Sequence, residues 1–146
     1  ITNDKECCYD TMETTQRVTN KQKGLEMKNV LIVDDASVVR VMLKKVLEKG
    51  DFRIVGEATN GKDALMRYKE LRPDIVTMDI VMPEVDGIQA TKNIIEFDGN
   101  AKVVIVSGIE QKVMLMKAIK AGASSYIVKP FEADRIISTL NEILES

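Results

Sequence analysis

The chain has 146 residues, of which 45% are hydrophobic and 30% charged, a composition typical of a globular protein of about one domain. Lysine and arginine number 21 against 23 acidic residues, and a chain without a basic excess is a poor candidate for nucleic-acid binding. The absence of histidine excludes histidine-based nucleophile activation and histidine metal sites, and no apolar run approaches the roughly 20 residues of a membrane span.

The two cysteines, Cys7 and Cys8, are adjacent and lie outside the patterned part of the chain, so they do not form a disulfide framework. The remaining sequence has no thiol, which is typical of proteins in a reducing compartment. The N-terminus is polar and mixed in charge, and it lacks the features of a signal peptide. These observations predict a cytoplasmic protein that does not bind a membrane.

Residues 1–26 differ in composition from the rest of the chain. They are rich in Thr, Lys, Glu and Asp, and their few apolar residues show no regular period. We interpret them as a flexible N-terminal tail, a cloning remnant or the end of an upstream segment. The first strand pattern begins directly after Met27, so the sequence predicts one domain over residues 27–146.

From Asn29 onwards, short apolar runs alternate with amphipathic segments. The runs are rich in Val and Ile and almost continuously apolar, which indicates strands buried on both faces of a parallel sheet. Five strands are predicted in this way: Val30–Val33, Arg53–Glu57, Asp74–Met78, Lys102–Val106 and Ser125–Val128.

The segments between the strands have the apolar spacing of helices. The residues that mark the apolar faces are Val38, Met42, Val46 and Leu47 in the first helix, Leu65, Tyr68 and Leu71 in the second, Ile88, Ile94 and Ile95 in the third, Val113, Ala118 and Ile119 in the fourth, and Ile136, Ile137, Leu140, Ile143 and Leu144 in the fifth. Asn60 is a good N-cap for the second helix, which Pro73 ends, and Gly50 and Gly122 stop the first and the fourth.

Five consecutive β-α units joined by right-handed crossovers predict an α/β fold, with a doubly wound sheet between two layers of helices. Ligands of such folds bind beyond the carboxyl ends of the strands, where the strand order reverses. The residues that follow each strand are therefore the first candidates for a functional site.

Polar residues follow four of the predicted strands. Asp34 and Asp35 follow the first, Asp79 the third, Ser107 the fourth and Lys129 the fifth. Any one of them would ordinarily be a turn former or a helix cap. Three carboxylates in one cleft, however, repel each other unless a cation is present. Because the chain has no histidine, we expect a hard cation with oxygen ligands, and magnesium fits best.

The same residue types suit phosphoryl transfer. A carboxylate oxygen can attack phosphorus to form an acyl phosphate, a reaction that needs positioning and charge neutralisation more than covalent assistance. An ammonium group and a hydroxyl would each hold a phosphoryl oxygen, and Lys129 and Ser107 supply them. The simpler alternative is that Asp35 or Ser37 caps the first helix and that Ser107 starts a turn.

The chain resembles the receiver domains of two-component response regulators, and most closely the stand-alone chemotaxis receivers of the CheY type. The similar stretches are VLIVDDAS, GEATNGKDAL, PDIVTMDIVMPEVDG, VVIVSG and AGASSYIVKPF, within the span from Met27 to Ser146. The spacings from the acidic pair to Asp79, Ser107 and Lys129 also match the family. The resemblance implies a flavodoxin-like sheet of five parallel strands in the order 2-1-3-4-5, with five helices.

Roles at individual positions follow from this resemblance. It implies that Asp79 is the phospho-acceptor and that Mg²⁺ is held by Asp34, Asp35, Asp79 and the backbone carbonyl of Val81. Asp35 would hold the ion more directly than Asp34.

The resemblance also implies how the phosphorylated state is read. Ser107 and Lys129 would contact the phosphoryl group, and Tyr126 would change rotamer on activation. The Lys129–Pro130 peptide bond is cis in the family. Independently of the family, Gly87 is expected to relieve backbone crowding where the third helix starts.

The implied partners are a histidine kinase that donates the phosphoryl group from a phosphohistidine, a phosphatase, and an output protein such as a flagellar motor-switch component. The output face would combine the fourth helix, the fifth strand and the fifth helix, and would carry Lys112, Lys117, Lys120 and Tyr126. The protein is predicted to be a phosphorylation-controlled switch that assists its own phosphorylation and dephosphorylation, not a turnover enzyme. No nucleic-acid or membrane partner is expected.

Other functions share this topology or this family. A flavodoxin-type carrier needs a phosphate-binding loop after the first strand, where Asp34 and Asp35 would repel a nucleotide phosphate. A haloacid-dehalogenase-type hydrolase needs a second aspartate two residues after its nucleophile, and Ala36 stands there. A single-domain phosphorelay carrier and the isolated receiver of a larger transcriptional regulator remain as alternatives, although the chain ends shortly after the fifth helix, so no output domain is expected to follow.

Overall fold

A computed structural model describes residues 27–145, except for the side chain of Ile109. The interpretation of residues 1–26 as a flexible tail lies outside the described residues. Strands and helices alternate along the described chain: β1 Lys28–Val33, α1 Ser37–Lys49, β2 Phe52–Ala58, α2 Gly61–Leu71, β3 Ile75–Met78, α3 Gly87–Phe97, β4 Val103–Gly108, α4 Lys112–Lys120, β5 Ser125–Lys129 and α5 Ala133–Glu145. A 3-10 turn, Ile109–Gln111, leads into α4.

The five strands form one parallel sheet in the order β2-β1-β3-β4-β5, which confirms the predicted fold class. All residues of β3 are buried, and so are all residues of β4 except the last. Central strands of a parallel sheet have both faces covered by helices, which is why their sequences are almost continuously apolar. The predicted strands differ from the observed ones only at their ends.

Side chains that alternate along β1 divide the core into two clusters. Leu31 and Val33 pack with residues of α2, α3 and α4 on one face of the sheet. Val30 and Ile32 pack with residues of α1 and α5 on the other face. Buried apolar surface thus holds a helix layer on each side of the sheet and leaves the carboxyl ends of the strands as an open edge.

The first helix presents a different face to the sheet from the one that its apolar residues predict. Leu43 and Leu47 are buried, whereas Val38 and Met42 are 69% and 48% exposed. Met42 precedes the buried Leu43 by one residue, which rotates it by about 100° around the helix axis. The prediction that Val38 and Met42 share the buried face was therefore wrong.

The buried face of the fourth helix also differs from the predicted one. Leu115 and Ala118 are buried, whereas Val113 is 73% exposed and Ile119 is 38% exposed. The buried residues and the exposed apolar residues both recur at helical intervals along α4. Spacing alone therefore does not show which of the two sets faces the sheet. Docking of the helix on the sheet decides which row is buried.

Local capping sets several helix boundaries. The Asn60 side chain accepts a hydrogen bond from the N–H of Asp63 at 2.8 Å and caps α2, as predicted. Arg72 ends α2 in a left-handed conformation with a φ of 46°. Asp86 caps α3 by accepting a hydrogen bond from the N–H of Gln89 at 2.9 Å, which the sequence analysis missed.

The loops that follow the strands meet at one edge, because all five strands run in the same direction. After β3, the N–H of Gly87 donates to the carbonyl of Ile80 at 2.7 Å and draws the start of α3 against the strand end. After β5, the Lys129–Pro130 peptide bond is cis, in agreement with the family resemblance. Within residues 27–145, no helix is long and apolar enough to cross a membrane.

Candidate functional site

Asp34, Asp35 and Asp79 lie together at the carboxyl ends of β1 and β3. Each offers a carboxylate oxygen, and these oxygens lie within 4.8 Å of one another. Asp34 and Asp79 are buried, with 1% and 6% of their surface exposed, whereas Asp35 is exposed to solvent. The carboxylate cluster is therefore enclosed on the side of the sheet and open to solvent on the side of Asp35.

Backbone hydrogen bonds between strands hold the two buried aspartates. The N–H of Asp79 donates to the carbonyl of Val33 at 2.9 Å, and the N–H of Asp34 donates to the carbonyl of Ala58 at 3.0 Å. Asp79 Oδ1 also accepts a hydrogen bond from the N–H of Ile80 at 2.9 Å. The sheet, a rigid element, thus sets the positions of both carboxylates.

The turn from β1 into α1 is closed by Asp34. Its Oδ1 accepts a hydrogen bond from the N–H of Ala36 at 2.8 Å. Ala36 occupies the N-cap position of α1 and makes no side-chain capping hydrogen bond. The alternative that Asp35 or Ser37 caps this helix therefore does not hold, and capping does not account for the acidic pair.

Lys129, at the end of β5, joins the two buried carboxylates. Its Nζ lies 3.1 Å from Asp34 Oδ2 and 3.5 Å from Asp79 Oδ1. Among the described residues, one ammonium group thus contacts two of the three carboxylates, so the cluster retains an excess of negative charge when all of these groups are ionised.

Burial and the neighbouring charges together raise the pKa of Asp79. Burial raises the pKa of the Asp79 carboxyl from 3.8 to about 6, and the neighbouring Asp34 adds to the rise, whereas Lys129 opposes it. Near neutral pH the carboxylate is still mostly ionised, but it is held at a cost in free energy that a bound cation would remove.

Replacing Asp79 by Asn is expected to stabilise the metal-free protein at pH 7. The folded state binds the Asp79 proton more tightly than the unfolded chain does, so ionisation lowers the free energy of unfolding as the pH rises from 3.8 to about 6. The gain should be about 1–2 kcal/mol, less than the full pKa shift implies because water reaches the cleft.

Urea unfolding in the presence of a chelator measures this effect. The advantage of Asp79→Asn should be complete above pH 6, where the full penalty applies, and should vanish below pH 4. Glu48→Gln, which removes a charge from the exposed surface of α1, is the matched control. Equal stability of the wild-type and Asp79→Asn proteins at pH 7 would contradict the raised pKa.

Ser107 lies at the end of β4, opposite Val128 of β5 in the sheet register. Its Oγ is buried and has no hydrogen-bond partner among the described residues. The 3-10 turn that follows is instead closed by Gln111, whose Oε1 accepts from the N–H of Gly108 at 3.1 Å. Buried hydroxyls are ordinarily paired, so an unpaired one at the same edge of the sheet as the carboxylate cluster suits a ligand that accepts a hydrogen bond.

The donor set of the carboxylate cluster fits a divalent cation. All three ligands offered are carboxylate oxygens, which Mg²⁺ prefers over softer donors. A divalent charge would also relieve the repulsion between Asp34 and Asp79 that contributes to the raised pKa of Asp79.

Two further candidate residues, Val81 and Tyr126, have exposed side chains. Val81 follows Asp79 by two residues, and its side chain is 57% exposed. Tyr126, on β5, is 41% exposed. It lies beside α4 and lines a cavity of about 190 Å³ together with Gly108, Lys112, Leu115 and Val128.

A second group of charges, which was not predicted from the sequence, lies beside the carboxylate cluster. Arg40 of α1 donates to the backbone carbonyl of Asp34 at 2.6 Å and to Glu57 Oε1 at 2.8 Å. Lys44 donates to the other carboxylate oxygen of Glu57, also at 2.8 Å. The spacing of Arg40 and Lys44 places both on one face of α1, but nothing in the sequence relates that face to a residue of β2.

A family model, curated sequences and a solved structure that match this chain are all of receiver domains or of CheY proteins. The family model of the response regulator receiver domain matches residues 30–141. The chain is 53% identical over 116 residues to the chemotaxis protein CheY of Thermotoga maritima, covering 80% of this chain and 97% of that protein. It is 50% identical to CheY of Bacillus subtilis, with 79% and 96% covered. The crystal structure of the CheX–CheY–BeF3–Mg²⁺ complex from Borrelia burgdorferi matches with a TM-score of 0.78 and 34% identity, covering 85% of this chain and 93% of that one.

Proposed function

This chain belongs to the response regulator receiver domain family, and we propose that it is a chemotaxis switch phosphorylated on Asp79 in a Mg²⁺-dependent reaction. One observation carries the assignment of Asp79. Its carboxylate is 6% exposed, shares a cluster with Asp34 and Asp35, and lies 3.5 Å from Lys129 Nζ. A carboxylate in such a setting is desolvated, lies next to a positive charge and can be approached by a donor from the solvent side.

Asp79 would attack through the oxygen that carries fewer contacts. Both hydrogen bonds that its carboxylate accepts from described residues, from the N–H of Ile80 and from Lys129 Nζ, are made to Oδ1. Oδ2 would form the O–P bond while the P–N bond of the donor phosphohistidine breaks and the imidazole nitrogen keeps the electron pair. Lys129 would hold one phosphoryl oxygen and the Ser107 hydroxyl another.

Asp34, Asp35, Asp79 and the backbone carbonyl of Val81 would hold the metal. When bound, Mg²⁺ supplies charge neutralisation for the phosphoryl oxygens. The protein itself positions the carboxylates, because Asp34 and Asp79 directly follow the adjacent strands β1 and β3. The same residues would position the phosphoryl group both for its transfer to Asp79 and for its hydrolysis. The chain would therefore assist both its phosphorylation and its dephosphorylation, and it would act as a signalling switch.

Replacing Val81 by Asn is expected to shorten the lifetime of the acyl phosphate. The exposed Val81 side chain lies two residues from Asp79 and cannot orient a water molecule, whereas an amide can do so by hydrogen bonding. The decay rate should rise roughly three- to tenfold, the equivalent of one hydrogen bond of about 1 kcal/mol.

The loss of phosphorylated mass with time, after acetyl phosphate is removed, measures this rate. Val81→Leu, which remains apolar, is the control and should decay like the wild type. The backbone carbonyl of residue 81 is the same in all three proteins, so metal binding is not removed. An unchanged decay rate in Val81→Asn would count against the role of this position.

Phosphorylation would be read out through Ser107 and Tyr126. Movement of the Ser107 hydroxyl toward a phosphoryl oxygen would let Tyr126 turn into the cavity that it lines with Leu115 and Val128. The acyl phosphate would thereby bias an existing two-state equilibrium of the face built from α4, β5 and α5.

The proposed partners follow from this role. A histidine kinase would donate the phosphoryl group, a flagellar motor-switch component would bind the changed face, and a phosphatase would end the signal. CheY of Borrelia burgdorferi forms a complex with CheX, so a CheX-like protein is a further candidate. Because a histidine kinase takes its phosphoryl group from ATP, the chain would act in the cytoplasm.

Binding to the N-terminal peptide of a motor-switch protein tests this proposal. The phosphorylated chain is expected to bind at least about tenfold more tightly than the unphosphorylated one, the usual range of allosteric coupling. Asp79→Asn, treated identically, is the control. Equal affinity in the two states would remove the switch function.

Two alternatives are less favoured. A phosphorelay carrier or the receiver of a larger transcriptional regulator is disfavoured because the CheY proteins of Thermotoga maritima and Bacillus subtilis are matched over 97% and 96% of their length. Rapid phosphoryl transfer to a histidine phosphotransfer domain, without binding of the motor-switch peptide, would reverse this preference.

We also propose that residues 27–146 are the receiver domain and that residues 1–26 do not contribute to its stability. The start of the family match at residue 30 supports a boundary near Met27. Deleting residues 1–26 is expected to change the free energy of unfolding by less than about 1 kcal/mol. A larger loss would mean that these residues pack on the domain.

A further inference from the structure

Every polar atom of Asp34 is engaged by another residue. Its N–H donates to the carbonyl of Ala58 at 3.0 Å, and its carbonyl accepts from Arg40 Nη1 at 2.6 Å. Its Oδ1 accepts from the N–H of Ala36 at 2.8 Å and its Oδ2 from Lys129 Nζ at 3.1 Å. The shortest of these contacts is the charge-assisted hydrogen bond from Arg40, a class stronger than neutral hydrogen bonds.

Arg40 is itself held in place from the neighbouring strand. Its Nε donates to Glu57 Oε1 at 2.8 Å, and the side chains of Arg40 and Glu57 are only 17% and 33% exposed. Lys44 donates to Glu57 Oε2 at 2.8 Å. This hydrogen bond and the one from Arg40 lower the pKa of the Glu57 carboxyl, although burial opposes them, so Glu57 is ionised at neutral pH.

The hydrogen bond from Arg40 acts on the peptide group that links the acidic pair. The carbonyl of Asp34 and the N–H and Cα of Asp35 belong to one planar peptide unit. A guanidinium that sets the direction of this carbonyl therefore also sets the direction in which the chain continues to Asp35. The contacts of Arg40 thus reach the exposed member of the acidic pair as well as the buried one.

The contact with Glu57 also reduces the repulsion that the Arg40 guanidinium would exert on a divalent cation. An isolated guanidinium beside the carboxylate cluster would repel a divalent cation. The Glu57 carboxylate, 2.8 Å from the guanidinium, offsets part of this charge, and it is shared with Lys44. Arg40 can then donate its hydrogen bond to Asp34 with less repulsion of a cation than an unpaired guanidinium would exert.

We propose that Arg40, oriented by Glu57, is a positioning residue that fixes the turn from which Asp34 and Asp35 hold the metal. This inference rests on the proposed function, because it concerns the same site. An ion pair that served stability alone would affect unfolding but not the affinity for Mg²⁺. The two roles therefore differ in what a substitution of Arg40 changes.

Calorimetric titration of the full chain with Mg²⁺ tests the inference. Arg40→Gln is expected to weaken Mg²⁺ binding roughly tenfold or more, the usual effect of removing a partner that orients metal ligands. Arg40→Lys should show a similar loss, because one ammonium cannot reproduce the two-sided contact to Asp34 and Glu57. Arg53→Gln is the matched control, since exposed Arg53 pairs with Asn29 near the opposite end of β1 and carries the same charge.

A second measurement is independent of the loaded site. In the metal-free protein, the amide resonances of Asp35 and Ala36 should shift in Arg40→Gln and remain in place in Arg53→Gln. If Arg40→Gln does not fold, Glu57→Gln decides the matter, because it retains the guanidinium but removes the carboxylate that orients it. Glu57→Gln is expected to weaken Mg²⁺ binding and to shift the same amides.

Wild-type affinity for Mg²⁺ in the folded Arg40 variants, or in Glu57→Gln, with unmoved amide resonances would overturn the inference. Failure of the proposed function would look different: the wild-type chain itself would bind no Mg²⁺ or would not be phosphorylated. A wild-type chain that binds Mg²⁺ and accepts phosphate, together with variants that do the same, would remove the role of Arg40 alone.

Discussion

Acetyl phosphate and magnesium are expected to add one phosphoryl group to the wild-type chain and none to an Asp79→Asn variant. Asn lacks the nucleophilic oxygen. Asp79 is the carboxylate that lies next to Lys129 and clusters with Asp34 and Asp35. The yield of phosphorylated protein should fall by more than roughly a hundredfold, since removal of a nucleophile removes the reaction itself.

Intact mass with peptide mapping measures this result. Asp134→Asn, an exposed aspartate in the first turn of α5, is the control and should be labelled like the wild type. Asp79→Asn is expected to retain the fold, since its predicted stability at neutral pH exceeds that of the wild type; urea unfolding checks this. Full labelling of that variant would show that another residue is the phospho-acceptor.

Replacing Gly87 by Ala is expected to destabilise the protein and to impair phosphorylation together. A Cβ at this position would overlap the carbonyl oxygen of Asp79 and lie 2.8 Å from its carbonyl carbon and from the Cα of Ile80. These are backbone atoms, so the clash cannot be relieved by a rotamer change. This close approach agrees with the expectation from the sequence that Gly87 relieves crowding at the start of α3.

The cost should be about 2–4 kcal/mol in the free energy of unfolding, at or above the usual range for overpacking because backbone must move. The displaced atoms belong to Asp79, so the rate of phosphorylation by acetyl phosphate should also fall. Gly99→Ala is the matched control, since a Cβ there meets no atom within 4 Å. If both variants unfolded at the same urea concentration, the proposed close approach would be refuted.

The sheet and the location of the site were predictable from the sequence. Residues Ile75–Met78 are all buried, and strands covered on both faces have almost uninterrupted apolar sequences. The first polar residue after such a strand, here Asp79, must lie at its carboxyl end. Because parallel strands end at the same edge, Asp34, Ser107 and Lys129 are also expected at that edge.

Other features depended on the tertiary structure. The buried face of α1 runs through Leu43 and Leu47 rather than Val38 and Met42, because docking on the sheet chose between two apolar rows. The raised pKa of Asp79 needs burial by neighbouring elements, with a further contribution from Asp34 on another strand.

The unpaired hydroxyl of Ser107 and the contact of Arg40 with Glu57 belong to the same class of feature. Periodicity and capping are local properties that a short stretch of sequence contains in full. Contacts between α1 and β2, or between β4 and its neighbours, arise only after packing has brought distant segments together. The sequence alone therefore determined which polar residues follow the strands at one edge of the sheet, and the tertiary structure decided how they are held, charged and paired there and which residues of α1 and β2 lie beside them.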